Sequence, residues 1–162
     1  MASIIASPSR YIQGKGEMEN LCTYAENYGT NLFVLTSPSG RKRVEPFIAK
    51  GQKDAKITYE AFNGECCMTE INRVMDMCEK AGSEVIVGIG GGKIHDTAKA
   101  VAYYMKKPVI IVPTIASTDA PCSALSVIYT DDGVFEKYLF LPASPNMVLV
   151  DTDIVSKAPE RL

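Results

Sequence analysis

Short, wholly apolar runs alternate along this chain with segments whose apolar residues recur at helical spacing. Four such runs stand between turn-forming residues: 32–35, 85–87, 109–112 and 147–150. Weaker strand signals occur at Ile4-Ile5, Tyr11-Ile12 and Ile57-Thr58-Tyr59. Runs that are apolar throughout, rather than alternating with polar residues, predict strands that are buried on both faces of a sheet.

Three segments carry apolar residues at positions i, i+3, i+4 and i+7, the pattern of an amphipathic helix. They cover residues 21–28, 74–81 and 98–105, and a weaker helix is predicted over 41–50. Single helices between buried strands imply right-handed crossovers and a mainly parallel sheet. The sequence therefore predicts an α/β fold, a doubly wound, Rossmann-like sheet with helices on both faces. Ligands of such sheets bind beyond the carboxyl ends of the strands.

Two segments depart from this rhythm. Residues 126–141 carry two apolar runs around Asp131-Asp132-Gly133, which predicts a β-hairpin. Pro159 and Glu160 suit the first turn of a helix, but the sequence stops at Leu162. Because one helical turn is not stable alone, we expect residues 1–162 to be one domain of a longer protein.

Composition and charge narrow the class of protein. With 162 residues, 46% hydrophobic and 22% charged, the chain is typical of one globular domain. Its 17 Lys and Arg against 19 Asp and Glu leave a net charge of −2, so no surface for DNA or RNA is expected. Five cysteines without a CxxC pair indicate a reducing compartment, the cytoplasm, and argue against structural zinc. No apolar stretch is long enough for a membrane span.

A glycine-rich turn, Gly88-Ile89-Gly90-Gly91-Gly92-Lys93, joins the 85–87 run to the following helix. Glycines at a strand-to-helix turn let a diphosphate approach the backbone, where free amides at the helix start favour its charge. The turn is not a P-loop, because Ile94 stands where Ser or Thr would bind magnesium, and Lys93 replaces the third glycine of a GxGxxG fingerprint. We favour a diphosphate site over a flexible loop that only aids packing, because so many glycines cost chain entropy.

Two polar residues follow this turn. Asp96 is expected in the first helical turn, where the helix dipole stabilises a carboxylate even without a ligand. His95 is the only histidine in the chain, and we expect it on the solvated surface rather than acting as a base. Neither residue by itself indicates catalysis.

The segment 113–123 holds four hydroxyls and one carboxylate, Asp119, between prolines. A turn-rich connector has the same kind of composition, but the position after the 109–112 run favours a ligand site. Its hydroxyls suit a nucleotide, and Asp119 suits a polyol or another polar substrate. Cys122 has no basic partner in the loop, so we do not expect it to act as a nucleophile.

Three segments, 88–100, 113–142 and 146–152, together resemble the iron-containing, or type III, alcohol dehydrogenases, in particular the glycerol dehydrogenases among them. Ser7-Pro8 and the run from Tyr11 to Gly14 fit the opening of that family, so the resemblance covers the whole chain. It implies the nucleotide-binding half of an enzyme that oxidises glycerol to dihydroxyacetone with NAD, usually with zinc.

The resemblance also implies roles for single residues. Its coenzyme contacts correspond to Gly91, Gly92, Lys93, Asp96, Thr114, Ser117, Ser123, Leu125 and Tyr129. Asp96 is implied to lie near the nicotinamide, and Asp119 matches a glycerol-contacting aspartate. The metal ligands of the family, one Asp and two His, belong to a helical second domain that we expect to lie outside this chain. Residues 1–162 are therefore expected to be a dinucleotide-binding domain without a metal site and with negligible activity alone.

One departure from the family concerns the adenosine end of the coenzyme. The family tends to have an Asp after the 32–35 strand that holds the ribose hydroxyls, whereas this chain has Ser37, followed by Arg41-Lys42-Arg43. Loss of that acid beside new cations is the direction expected for a 2′-phosphate. We favour the simpler interpretation, a solvated helix start. Ser37 is thus a coenzyme-site candidate, with NAD expected and NADP left open.

Two other functions fit the same residues. One is a non-catalytic or truncated nucleotide-binding module, and the other is a related polyol or glycerol-phosphate dehydrogenase, or a cyclase that resembles dehydroquinate synthase. A phosphate substrate calls for cations, and the 113–123 loop contains none. We expect a small polyol as substrate. We also expect a homo-oligomer, because the face left without its second domain would be apolar.

Overall fold

A six-stranded parallel sheet forms the centre of the computed structural model, which describes residues 2–159. Within these residues the strands are β1 (Arg10–Gly14), β2 (Asn31–Thr36), β3 (Lys56–Ala61), β4 (Val85–Gly90), β5 (Val109–Pro113), β6 (Leu125–Tyr129), β7 (Phe135–Phe140) and β8 (Met147–Asp151). The sheet has the order β1-β8-β5-β4-β2-β3, and every neighbouring pair is parallel. The four prominent apolar runs all lie in this sheet, which confirms the predicted fold class.

Helices cover both faces of the sheet. They are α1 (Leu21–Ala25), α2 (Pro38–Lys50), α3 (Met68–Ala81), α4 (Gly92–Met105) and α5 (Thr152–Val155), with a 3-10 helix at Glu17–Asn20. Successive residues of a strand point to opposite faces, so Val34 packs in one apolar core with Val44 of α2. Phe33 packs in the other core with Val74 of α3 and Val101 of α4. The predicted helices on both faces are confirmed.

Some element boundaries differ from the sequence prediction. The helix expected from residue 41 begins at Pro38, because Ser37 caps it: the Ser37 hydroxyl accepts a hydrogen bond from the Gly40 amide at 3.0 Å. The helix expected over 21–28 ends at Ala25 and is preceded by the 3-10 helix. Ile4-Ile5 is not a strand, since both side chains are exposed and pair with nothing in the described part of the chain.

The predicted hairpin is confirmed. Strands β6 and β7 form a separate antiparallel sheet of two strands. The Asp131-Asp132-Gly133 segment forms their turn, in which Gly133 has a φ of 85°. Of the helix expected at Pro159, Glu160 and the two residues after it lie outside the described residues.

The carboxyl ends of three adjacent strands, β5, β4 and β2, create the crevice of this fold. From β2 the chain passes through α2 on one face to β3, and from β4 it passes through α4 on the other face to β5. The connections of β2 and β4 therefore leave in opposite directions, which defines the topological switch point where such sheets bind ligands.

Candidate functional site

The loops after β2, β4 and β5 bring together sequence-predicted residues that lie far apart in the chain. Ser37 follows β2, Gly91 follows β4 and Thr114 follows β5. The strands are in register, with Thr36 opposite Ile89 and Gly90 opposite Pro113. The Thr114 amide also donates a 3.0 Å hydrogen bond to the Gly90 carbonyl, which ties the loop after β5 to the glycine turn.

The glycines of the turn serve two different purposes. At Gly88 a Cβ atom would lie 2.7 Å from the Cβ of Ala98, so this glycine lets α4 pack against β4. At Gly91 a Cβ atom would meet only Ile115 Cγ2, 3.9 Å away, and would project into the open crevice. The packing interpretation therefore explains Gly88, but it does not explain Gly91.

The start of α4 is suited to an anion. Its first hydrogen bonds run from the amides of Ile94 and His95 to the Gly91 carbonyl, both at 3.1 Å. The amides of Gly92 and Lys93 precede those bonds and have no partner within the helix. The 14-residue helix adds the positive end of its dipole at this point. Backbone donors, dipole and free space coincide at the predicted diphosphate turn.

A lysine stands at the mouth of this turn. Lys93 is exposed, and its Nζ atom lies 2.7 Å from Oε2 of Glu65 and 5.7 Å from the centre of the Tyr129 ring. The hydrogen bond to Glu65 raises the pKa of Lys93, so Lys93 is a cation at neutral pH. Sequence reasoning missed Glu65, because it lies 28 residues earlier in a segment with no motif of its own.

Asp96 is buried in the second turn of α4 rather than in the first turn at the helix end. Its Oδ1 atom lies 3.1 Å from Nζ of Lys99, and its Oδ2 atom accepts a 3.2 Å hydrogen bond from the Val127 amide. The expectation of simple stabilisation by the helix dipole was wrong, because α4 begins at Gly92 and the partner of Asp96 is a buried cation. Burial raises the pKa of Asp96, and the charge of Lys99 opposes that shift.

Lys99 fastens the loop after β5 to α4. Only 1% of the residue is exposed. Its ammonium donates to the Ala120 carbonyl at 2.7 Å and to the Ser123 hydroxyl at 3.1 Å, and also to the Leu125 carbonyl. Two predicted coenzyme contacts, Ser123 and Leu125, thus also hold this lysine. An ammonium with these acceptors and a carboxylate is a satisfied buried cation.

His95 is fully buried, so the expectation of a solvated surface residue was wrong. Neither ring nitrogen forms a hydrogen bond with any residue from 2 to 159. Burial, reinforced by the charge of Lys99, lowers the pKa of His95 to about 4, although the nearby carbonyls of Val112 and Gly90 favour the protonated ring. The imidazole is therefore neutral at physiological pH and has no solvent-exposed surface.

The loop after β5 borders an apolar groove of about 600 Å³. Ser117 and Asp119 of this loop are exposed, and Asp119 lines the groove, whose apolar members include Ile115, Pro121, Val148 and Val150. Burial raises the pKa of the Cys122 thiol, which disfavours the thiolate. The loop therefore offers oxygen acceptors rather than a nucleophile.

A smaller cavity of about 380 Å³ adjoins Ser37 at the end of β2. Arg41 lines this cavity, and its Nε atom lies 2.8 Å from Oε2 of Glu45. The Cζ atom of Arg41 also lies 4.6 Å from the centre of the Tyr59 ring. Glu60 also lines the cavity, and the Thr36 hydroxyl is buried without a hydrogen-bond partner among the described residues. The three cations from Arg41 to Arg43 are exposed on α2, as the simpler interpretation of this segment expects.

The described residues contain neither a cluster of metal ligands nor a membrane-spanning helix. No three or more His, Cys, Asp or Glu side chains between residues 2 and 159 come close enough together to hold a metal ion. Within the same residues, no helix has the length and apolar character needed to cross a membrane.

A comparison with known protein families identifies the family of this chain. The model of the iron-containing alcohol dehydrogenase family matches residues 8–152. The chain belongs to this family. The match spans the glycine turn, Lys93 and the 113–123 loop.

Relatives in the iron-containing alcohol dehydrogenase family resemble the chain over almost its whole length. It is 53% identical to a glycerol dehydrogenase of Thermotoga maritima, over 95% of this chain and 42% of the relative. It is 49% identical to a glycerol dehydrogenase of Escherichia coli, over 100% of this chain and 45% of the relative. A crystal structure of a probable glycerol dehydrogenase from Sinorhizobium meliloti matches with a TM-score of 0.90 and 42% identity, over 99% of this chain and 44% of that one. The chain thus spans less than half the length of these relatives.

Proposed function

We propose that this chain is the coenzyme-binding half of an NAD-dependent, metal-requiring glycerol dehydrogenase, which oxidises glycerol to dihydroxyacetone. The observation that carries the proposal is the open turn at Gly91, with backbone donors and Lys93 around it at the switch point of the sheet. Relatives at 47% identity and above that bear the name glycerol dehydrogenase support the choice of substrate.

The residues around the turn fit a dinucleotide. The amides of Gly92 and Lys93 would donate to the diphosphate, and the ammonium of Lys93 would offset its charge. Thr114 and Ser117 would contact the coenzyme from the loop after β5, as would Tyr129 from β6. A structure that shares this fold, a sulfoacetaldehyde reductase from Bifidobacterium kashiwanohense, was solved in complex with NAD⁺, which supports a dinucleotide at such a sheet.

Asp119 would orient the polyol by accepting hydrogen bonds from its hydroxyls, while Asp96 would lie near the nicotinamide. A bound divalent metal would supply the Lewis acidity that the oxidation of an alcohol needs, and a bound nicotinamide would supply the hydride acceptor. The family resemblance implies metal ligands beyond residue 162, and zinc stays our prediction for the metal. Negligible activity of this stretch alone, a homo-oligomer and a cytoplasmic location also stay predictions.

We propose NAD rather than NADP as the coenzyme. Arg41, which lines the cavity beside Ser37, is already paired with Glu45. Glu60 adds a second carboxylate to the same cavity. Lys42 lines the cavity as well, and Glu60 is already paired with a cation of α3. A 2′-phosphate would thus meet these carboxylates beside Lys42, whereas ribose hydroxyls could donate to the carboxylates.

The same loop chemistry separates the proposal from a glycerol-phosphate dehydrogenase. A phosphate on the substrate calls for Lys or Arg beside it, and the 113–123 loop has neither. An uncharged polyol is thus the better partner for Asp119.

Binding of reduced coenzyme tests the proposal directly. We expect NADH to bind, measured by fluorescence titration, and NADPH to bind at least tenfold more weakly, about 1.4 kcal/mol. Gly91→Val should abolish NADH binding without lowering the melting temperature, because its side chain enters the open crevice. Ala143→Val adds similar bulk at an exposed position before β8 and should change neither property. Equal NADH binding by wild type and Gly91→Val would overturn the proposed site.

A further inference from the structure

Glu65 lies beside Lys93, in a segment that is fixed to the rest of the fold. The amide of Tyr129 in β6 donates a 2.8 Å hydrogen bond to the carbonyl of Cys66, next to Glu65. Oε1 of Glu65 accepts a 3.0 Å hydrogen bond from the Cys66 amide. This leaves Oε2, which pairs with Nζ of Lys93 at 2.7 Å. The Glu65 carboxylate is therefore held from two sides.

The two partners of this ion pair are not equally anchored. The Glu65 side chain is 19% exposed, whereas that of Lys93 is 54% exposed. Lys93 is a flexible chain of four methylene groups that can follow a ligand, and Glu65 cannot. When an anion enters the glycine turn, Lys93 must share or leave its contact with Glu65, and the carboxylate stays behind as a negative charge near the anion.

We propose that Glu65 is a positioning residue that weakens coenzyme binding, by holding the ammonium of Lys93 in the free protein and by repelling the diphosphate in the complex. This inference rests on the proposed function. Its consequence is faster release of the coenzyme, because an opposing charge inside the complex acts mainly on dissociation. Fast release matters in a dehydrogenase, whose product coenzyme must leave in every cycle.

The variant Glu65→Gln removes the charge and keeps an oxygen that can accept from the Cys66 amide. We expect the NADH dissociation constant to fall by about threefold to tenfold, the range for a partly exposed charge, with the change mainly in the dissociation rate measured by stopped-flow fluorescence. In a Lys93→Met background the same substitution should have a smaller effect, because only the repulsion remains. A purely structural role of Glu65 would not depend on Lys93 in this way.

A matched control is available on the opposite part of the molecule. Glu19 forms a similar ion pair with Lys50, at 3.0 Å on the surface. Glu19→Gln changes the net charge equally and should leave NADH binding unchanged. Glu65→Asp provides a second variant if Glu65→Gln is unstable: its shorter side chain draws the carboxylate away from Lys93, and tightening of less than threefold is expected.

The outcomes separate the two proposals. If wild type binds NADH and Glu65→Gln binds it equally or more weakly, the role of Glu65 is overturned and the proposed function stands. If wild type fails to bind NADH, both are overturned. An equal gain in affinity with Glu19→Gln would reduce the effect to net charge and would also overturn the role of Glu65.

Discussion

Replacing His95 with leucine should change how the stability of this protein depends on pH. The imidazole is fully buried, and its pKa is lowered from 6.5 to about 4 by burial and by the charge of Lys99. In the unfolded chain the ring regains its ordinary pKa. Between these two values the unfolded state binds more protons than the folded state. The contribution of the neutral imidazole to stability is therefore fully present above pH 6.5 and is lost as the pH falls toward 4.

The size of the effect follows from the shift. Integrating the difference in bound protons from neutral pH down to pH 4 gives a loss of about 3 kcal/mol for this one group. Near neutral pH the leucine variant should be as stable as the wild type or more stable, because it replaces a ring whose two nitrogens have no hydrogen-bond partner within residues 2–159. With His95→Leu, the free energy of unfolding should thus fall less steeply between pH 6.5 and pH 4 than it does in the wild type, and it should not fall near pH 7.

Urea unfolding, followed by circular dichroism at several pH values from 4 to 8, measures this difference. Carboxylates such as Asp96, whose pKa is raised by burial, are present in both proteins. The informative quantity is therefore the free energy of unfolding of the variant minus that of the wild type. This difference should grow by about 3 kcal/mol between pH 7 and pH 4. A difference that stays constant with pH would refute the assignment of a buried, neutral imidazole.

Two further predictions concern the packing behind the crevice. Lys99→Met should cost about 3–5 kcal/mol in the free energy of unfolding, because it leaves the carboxylate of Asp96 buried without its cation; a loss below about 1 kcal/mol would contradict the ion pair. Gly88→Ala should cost about 1–3 kcal/mol, since the new Cβ atom would lie 2.7 Å from the Cβ of Ala98. Gly91→Ala in the same turn should leave the melting temperature unchanged, and an equal loss at both glycines would refute the distinction between them.

The glycine turn is the part of the candidate site that the local sequence predicts best. A buried strand, a run of glycines and a helical repeat together predict a strand-to-helix turn with free amides, and the structure has that turn at Gly90 to Gly92. The hairpin was equally accessible, because the aspartate-glycine turn and its flanking apolar runs are neighbours in the chain. Such features need only a few consecutive residues, whose backbone preferences and periodicity act over short distances.

The burial of α4, in contrast, could not be predicted from local sequence. Its spacing indicated an amphipathic helix, yet residues 94–102 are all buried. The hairpin covers the face that periodicity assigned to solvent, and the Ser126 hydroxyl donates a 2.8 Å hydrogen bond to the Asp96 carbonyl. Lys99 is buried under the loop that leads into the same hairpin. His95 is buried against the backbone of Gly90 and Val112, at the ends of β4 and β5. No local sequence pattern indicates either burial.

The main strands and helices, the parallel sheet and the sheet edge proposed for a ligand could all be predicted from the sequence, because each depends on repeats and turns within short segments. Which charged groups meet could be seen only in the folded structure. Glu65 reaches Lys93 from 28 residues away, and Lys99 joins Asp96 to the Ala120 carbonyl, which lies 21 residues after Lys99. Burial and electrostatic interactions depend on distances in space, and the periodicity of the sequence contains no information about the distance between remote residues.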